Sequence, residues 1–105
     1  MQRENVRLEP GSRLAFAGAA AGRHPSVAGL VKYFAWAHLP DAVRAASAPF
    51  GVLALELINM LPDSPELTVT LRKLLEAKDC ACRAQVDAML ADATVPNAPE
   101  QELRP

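Results

Sequence analysis

The residues of this chain that could do chemistry are few and are spread along its length. His24 and His38 each lack a second pair of potential ligands nearby, so a metal site is not expected. No nucleophile stands with a base and an acid in a recognisable pattern, and no glycine-rich loop that would cradle a phosphate occurs. We therefore expect a protein that is not an enzyme and that needs no cofactor.

Recognition is a better use for the side chains that are present. Trp36 and Tyr33 offer flat faces on which a base could stack. The side chains that could meet a phosphate are Arg72, Lys73, Lys78 and Arg44. The alternative for Trp36 is a cover packed on the helices, and the alternative for Tyr33 is also a packing role.

The charge balance limits the kind of partner. The chain has 11 basic and 12 acidic residues, a net charge of −1, and so lacks the basic surplus of a protein that binds duplex DNA. Between Arg72 and Arg83, four basic residues stand against two acidic ones. This local excess fits either a small anionic ligand or an ordinary solvated helix face.

Cysteine placement and hydropathy indicate a soluble, cytoplasmic protein. Cys80 and Cys82 are two residues apart in a helical segment, so they lie on opposite sides and cannot bridge each other. We therefore expect buried or semi-buried reduced thiols, which fit the cytosol. The first residues make a poor signal peptide, and the apolar stretch from Phe50 to Leu61 is too short to span a bilayer and contains Glu56.

Two long helices account for the centre of the chain. The first begins near Asp41 and has apolar residues at three- and four-residue spacing. Those residues are Val43, Ala46, Phe50, Leu53, Leu57 and Leu61. We expect one helix kinked at Pro49, and the alternative is a break with Ser47 capping a new helix. Ser64 is a good N-cap, so the second helix should run from Pro65 to about Ala91.

The domain predicted from these signals covers residues 26–91. Ser26 could cap a short helix that reaches Phe34. Residues 1–25 and 92–105 read as flexible tails, because the first contains an alanine- and glycine-rich run and the second has three prolines and no apolar period.

The apolar first helix predicts self-association. From Ala45 to Pro62 the chain has one charged residue, Glu56, and a helix that is apolar on most sides must be covered by other helices. Fewer than about 70 folded residues make a marginal core. We therefore expect an all-α protein, an antiparallel two-helix hairpin with a short N-terminal helix, that assembles into a homo-oligomer.

Three stretches resemble one known family, the hairpin-domain sponge proteins with which phages counter the CBASS and Thoeris defence systems. Its pattern has Phe-x-Tyr-x-x-x-Pro, a Leu-Ala pair in the first helix, and Glu-Arg-Thr-x-x-Leu-Arg-Lys-Leu-x-Glu-Ala in the second. The matching residues here are Phe34, Pro40, Leu53, Ala54, Glu66, Thr68, Leu71, Arg72, Lys73, Leu74, Glu76 and Ala77. The resemblance covers about residues 32–91.

The resemblance implies a function and a site. Such proteins form oligomers, often hexamers, and hold cyclic di- or trinucleotides or cyclic ADP-ribose-type messengers between subunits without cleaving them. Trp36 stands at the position of the family's stacking tyrosine, while Gly51 and Leu67 stand where relatives carry basic residues. The alternative function, from another class, is a helical protein–protein interaction module with no small ligand.

Overall fold

The computed structural model describes residues 9–94, and within that range every regular element is helical. In chain order the elements are α1 (Arg13–Ala19), α2 (Pro25–Val31), a 3₁₀ turn (Lys32–Phe34), α3 (Asp41–Met60) and α4 (Pro65–Thr94). The helical class is thus confirmed for the described residues.

The two long helices are those that the sequence predicts. α3 continues through Pro49, so the single helix is confirmed and the alternative start at Ser47 is wrong. Ser64 caps α4: its Oγ accepts a hydrogen bond from Leu67 N at 3.1 Å, and its carbonyl accepts one from Thr68 N at 3.1 Å. A four-residue turn joins the helices, which pack side by side as a hairpin.

The face that α3 buries differs from the predicted one. The residues buried on it are Ser47, Gly51, Ala54 and Ile58. This set lies one position after the predicted Ala46, Phe50, Leu53 and Leu57, which is a rotation of about 100°. Small residues are selected because Phe34 and Trp36 approach this helix closely. The Ser47 hydroxyl, fully buried there, has no hydrogen-bond partner among the described residues.

The structure corrects the predicted domain start. Residues 13–19 form α1, and Phe16 is completely buried in the core with Val27, Phe34 and Leu71. Residues 9–25 therefore belong to the folded unit and are not a tail, while residues 1–8 lie outside the described part. At the other end α4 extends to Thr94, so residues 92–94 of the predicted tail 92–105 are helical, and residues 95–105 lie outside the described part.

α2 begins at Pro25, and its N-cap lies two residues before the predicted cap at Ser26. His24 is the N-cap, and its Nδ1 accepts a hydrogen bond from Ser26 N at 3.0 Å. Pro25 fills the first helical position, where a missing N–H costs nothing. The Ser26 hydroxyl instead lies 2.9 Å from Thr68 Oγ1, which connects α2 to α4.

A polar clasp fixes the segment between α1 and α2 to the α3–α4 turn. Asp63 Oδ1 accepts from Arg23 Nε and Oδ2 accepts from His24 N, both at 2.7 Å. The Arg23 guanidinium also donates to the carbonyls of Ile58 and Leu61, and so satisfies the C-terminal end of α3. These contacts position α1 against the hairpin.

α3 also leaves an apolar side exposed. Val52, Leu53 and Met60 all face outward. By length and composition this helix could cross a membrane, as could the core helices of many soluble proteins. Of its most apolar stretch, 22 % is buried within the chain.

Candidate functional site

A concave site lies where α1, the 3₁₀ turn, the segment before α3 and the middle of α4 meet. Its volume is about 620 Å³, within the range of small-molecule sites. We call it the basic cleft. Its lining residues are Arg13, Leu14, Ala17, Lys32, Tyr33, Ala35, His38, Leu39 and Lys78.

α1 forms one wall of the basic cleft, and local chemistry fixes its place. The Ser12 side chain caps the helix by accepting a hydrogen bond from Ala15 N at 3.1 Å. The carbonyl of Gly11 accepts from Trp36 N at 2.8 Å and from Ala37 N at 3.1 Å. Arg13 thus reaches a cleft that also holds residues distant from it in sequence.

Tyr33 provides the aromatic surface of the basic cleft. Its side chain is 56 % exposed. The ammonium of Lys32 lies 5.3 Å from the centre of the Tyr33 ring, close enough for a cation–π contact. A planar group stacked on this ring would therefore lie beside a positive charge.

Lys78 brings the charge of α4 to the same place. Its side chain is 13 % exposed, and its Nζ donates to the carbonyl of Tyr33 at 2.9 Å. The carboxylate of Asp79 lies 3.5 Å away and offsets part of the charge. An ammonium held in this way loses little side-chain entropy when an anion binds.

The composition of the basic cleft favours an anionic ligand with an apolar or planar part. Three lining side chains are cationic, and none of the nine, all in the described part of the chain, is acidic. Leu14 and Leu39 add apolar surface that an aromatic ring system could cover. Cationic groups beside a stacking ring are the combination that binds nucleotides.

Trp36 lies next to the basic cleft but packs inward. Its ring meets Phe16 edge to face, with 5.8 Å between ring centres. A Cβ on Gly11 would lie 2.5 Å from Trp36 Nε1, and a Cβ on Gly51 would come into similar conflict with the same indole. The structure thus favours the packing role left open for Trp36, and its stacking on a base stays a prediction.

The structure brings together two of the six residues predicted to bind ligand. Tyr33 and Lys78 line the basic cleft, whereas Arg72 and Lys73 are exposed on α4 and are not among its lining residues. Arg44 also lies outside the lining and pairs with Asp41 in the first turn of α3.

Sequence reasoning missed Arg13, Lys32 and His38. Arg13 lies in the predicted tail, and the sequence suggests no role for His38 beyond that of a possible metal ligand. A signal was present in Lys32-Tyr33, a cation beside the aromatic residue that was singled out. For Arg13 the signal was Ser12, a capping residue at the start of a short alanine-rich helix.

Comparisons with protein-family models, with curated proteins and with solved structures give no match. The resemblance to the sponge proteins therefore rests on the residues quoted above.

Proposed function

We propose that this protein binds and sequesters a cyclic nucleotide messenger in the basic cleft without cleaving it. The observation that carries the proposal is the exposed ring of Tyr33 with three cationic side chains around one concave site. The ring would stack on a base, and Lys32, Arg13 and Lys78 would neutralise the phosphates. None of the nine described lining side chains is a carboxylate, a thiol or an aliphatic hydroxyl, so we expect binding without cleavage.

The setting proposed is the cytoplasm of a phage-infected bacterial cell. Cys80 and Cys82 are both free thiols, a state that fits a reducing compartment, although Cys80 is exposed and not buried or semi-buried as expected. The resemblance to anti-CBASS and anti-Thoeris sponges supplies the class of ligand: cyclic di- or trinucleotides, or cyclic ADP-ribose-type messengers. The basic cleft lies within one chain, whereas the resemblance implies a pocket between subunits.

A thermal-shift screen against these three ligand classes, followed by titration calorimetry, tests the proposal. A ligand present at 100 times its dissociation constant should raise the free energy of unfolding by about 2.7 kcal/mol. In calorimetry, Tyr33→Ala and Lys32→Glu should each weaken binding about ten-fold or more, a loss of at least about 1.4 kcal/mol. Tyr33→Phe should keep most of the affinity because it keeps the ring.

The variant Arg72→Ala locates the site. It removes a predicted phosphate contact that does not line the basic cleft. If Arg72→Ala abolishes binding while Lys32→Glu leaves it intact, the ligand binds on the outer face of α4 and the assignment to the basic cleft is wrong. No thermal shift with any of the three ligand classes would contradict the function itself.

A protein-interaction module is the second candidate. The observation in its favour is the outward side of α3, where Val52, Leu53 and Met60 are exposed beside a single charged residue, Glu56. A partner helix could cover this face. This second function is supported if the protein binds no nucleotide and if Leu53→Glu abolishes its binding to a partner protein.

A further inference from the structure

A second hollow adjoins the basic cleft. Its volume is about 270 Å³, and its lining residues are Glu9, Ser12, Arg13, Leu14, Ala37 and His38. Arg13, Leu14 and His38 line both sites, so one ligand can extend from the basic cleft into the second hollow. A hollow of this size is below the usual range for a whole small-molecule ligand and suits one part of a larger one. We call it the Glu9 hollow.

A tight turn fixes the position of Glu9. The Glu9 carbonyl accepts a hydrogen bond from Ser12 N at 3.0 Å, and Gly11 has a φ of +81°. With Pro10 before that glycine, the segment matches a type II turn. The carbonyl of Gly11 in turn accepts from Trp36 N at 2.8 Å, which holds the turn against the segment before α3. The backbone that carries Glu9 is therefore in place before any ligand binds.

The Glu9 hollow presents an acceptor group beside donor groups. Glu9 is exposed, and within residues 9–94 neither its carboxylate nor the Arg13 guanidinium forms an ion pair. The Oγ of Ser12 accepts from Ala15 N, so the hydroxyl hydrogen is available for donation to a ligand. These side chains together suit a ligand group that carries adjacent donors and an acceptor on one edge.

Guanine is the base with that combination. Its N1–H and N2–H groups donate side by side to the two oxygens of a carboxylate, and the neighbouring O6 accepts. Adenine has an unprotonated N1 at the corresponding place, and the lone pair of this nitrogen would face the carboxylate. An acid near a phosphate-binding site also opposes any anionic ligand that does not donate hydrogen bonds to it. The carboxylate of Glu9 therefore disfavours other bases as well as accepting from guanine.

We propose that Glu9 makes the site selective for guanine, in a cyclic dinucleotide that places one base on Tyr33 and the other in the Glu9 hollow. The Glu9 carboxylate accepts from N1–H and N2–H of the second base, and O6 accepts from the Ser12 hydroxyl or from Arg13. The inference rests on the proposed function, because the basic cleft must hold the phosphates that join the two bases.

Titration calorimetry of the full chain with three cyclic dinucleotides tests the proposal. Cyclic di-GMP should bind about ten-fold or more tightly than cyclic di-AMP, because only guanine satisfies the carboxylate. Cyclic di-IMP, which lacks the 2-amino group, should bind more weakly than cyclic di-GMP. Glu9→Gln should reduce the preference for cyclic di-GMP over cyclic di-AMP about ten-fold. The affinity for cyclic di-AMP should be unchanged or higher in this variant, since a negative charge is removed.

Glu76→Gln is the matched control, because Glu76 is an exposed glutamate on α4 that lines neither site. It should leave the preference unchanged. Both variants should keep the melting temperature of the wild type, since the turn is held by the backbone carbonyl of Glu9 and not by its side chain.

Several outcomes would overturn the inference and leave the proposed function standing. They are equal affinities of the wild type for cyclic di-GMP and cyclic di-AMP, equal affinities for cyclic di-GMP and cyclic di-IMP, and an equal gain in affinity for all three ligands in Glu9→Gln. Failure to bind any cyclic dinucleotide would overturn it too. The proposed function fails only if cyclic trinucleotides and cyclic ADP-ribose-type messengers also fail to bind.

Discussion

The polar clasp between the N-terminal segment and the hairpin turn depends on the carboxylate of Asp63. The hydrogen bond from His24 N is the largest influence on it and, with the Arg23 guanidinium, holds the pKa of Asp63 below its ordinary value of 3.8 despite some desolvation. A carboxyl whose pKa is lowered by folding stabilises the native state when it is ionised.

The pH dependence follows from that direction. With the unfolded-state pKa at about 3.8 and the folded-state pKa lower, the contribution of Asp63 is complete above the unfolded value. It is lost as the pH falls through the folded value. The free energy of unfolding, measured by urea denaturation at a series of pH values from about 6 to about 3, should therefore fall toward the acid end.

The matched variant for this prediction is Asp63→Asn, which keeps the size and one acceptor but removes the charge. It should be less stable than the wild type at neutral pH and should lose part of the acid-end slope. If the two proteins show parallel pH profiles, the clasp does not contribute through the ionised carboxylate.

At the scale of elements, the contact between α3 and the segment after α2 is governed by Gly51. A Cβ at this position would lie 2.7 Å from the carbonyl oxygen of Phe34 and closer still to the Trp36 ring. Because the backbone at Phe34 can shift only at a large energetic cost, Gly51→Ala should lower the free energy of unfolding by about 1–3 kcal/mol. Chemical denaturation measures this directly.

Gly29→Ala serves as the comparison. Gly29 also lies in a helix, but a Cβ there would meet nothing within 4 Å. The substitution should therefore stabilise the protein by about 0.5–1 kcal/mol, through the lower entropy of the unfolded chain. The two variants should thus differ in sign. Destabilisation by both would point to a general intolerance of alanine in these helices.

The same contact explains how far the sequence could predict the elements. Ser64, Pro65 and the spacing of apolar residues act locally, so the turn and the two long helices could be predicted from them. The buried face of α3 could not, because large apolar residues were counted as the core side. Close packing against Trp36 and the Phe34 carbonyl requires a glycine at position 51, and the small Ala54 is buried on the same face.

The basic cleft was predictable in part for a related reason. Tyr33 and Lys78 could be chosen by residue type, since an exposed aromatic ring and a cation in a locally basic segment are visible in the sequence. Their meeting, and the addition of Arg13, depends on how α1 folds back on the core. That depends on tertiary packing, and an alanine-rich stretch with one large apolar side chain gives little local indication of it.

At the scale of the whole molecule, Phe16 decides whether the N-terminal residues belong to one cooperative unit. Its side chain is fully buried and touches Trp36, which in turn is packed against Gly11 and Gly51. Phe16→Ala should lower the free energy of unfolding by about 3–5 kcal/mol. That is a large share of the roughly 5–15 kcal/mol typical of a native domain, so a single earlier thermal transition is expected.

Leu14→Ala, on the same helix, separates stability from ligand binding. Leu14 is exposed but lines the basic cleft, so its truncation should change stability by no more than about 0.5 kcal/mol. The same truncation should weaken the binding of any ligand held in the basic cleft. A Phe16→Ala protein that unfolds like the wild type would mean that α1 docks onto the hairpin without adding to its stability. α1, which carries Arg13 and Leu14, could then detach from the hairpin without unfolding it. The basic cleft would exist only in molecules in which α1 is docked.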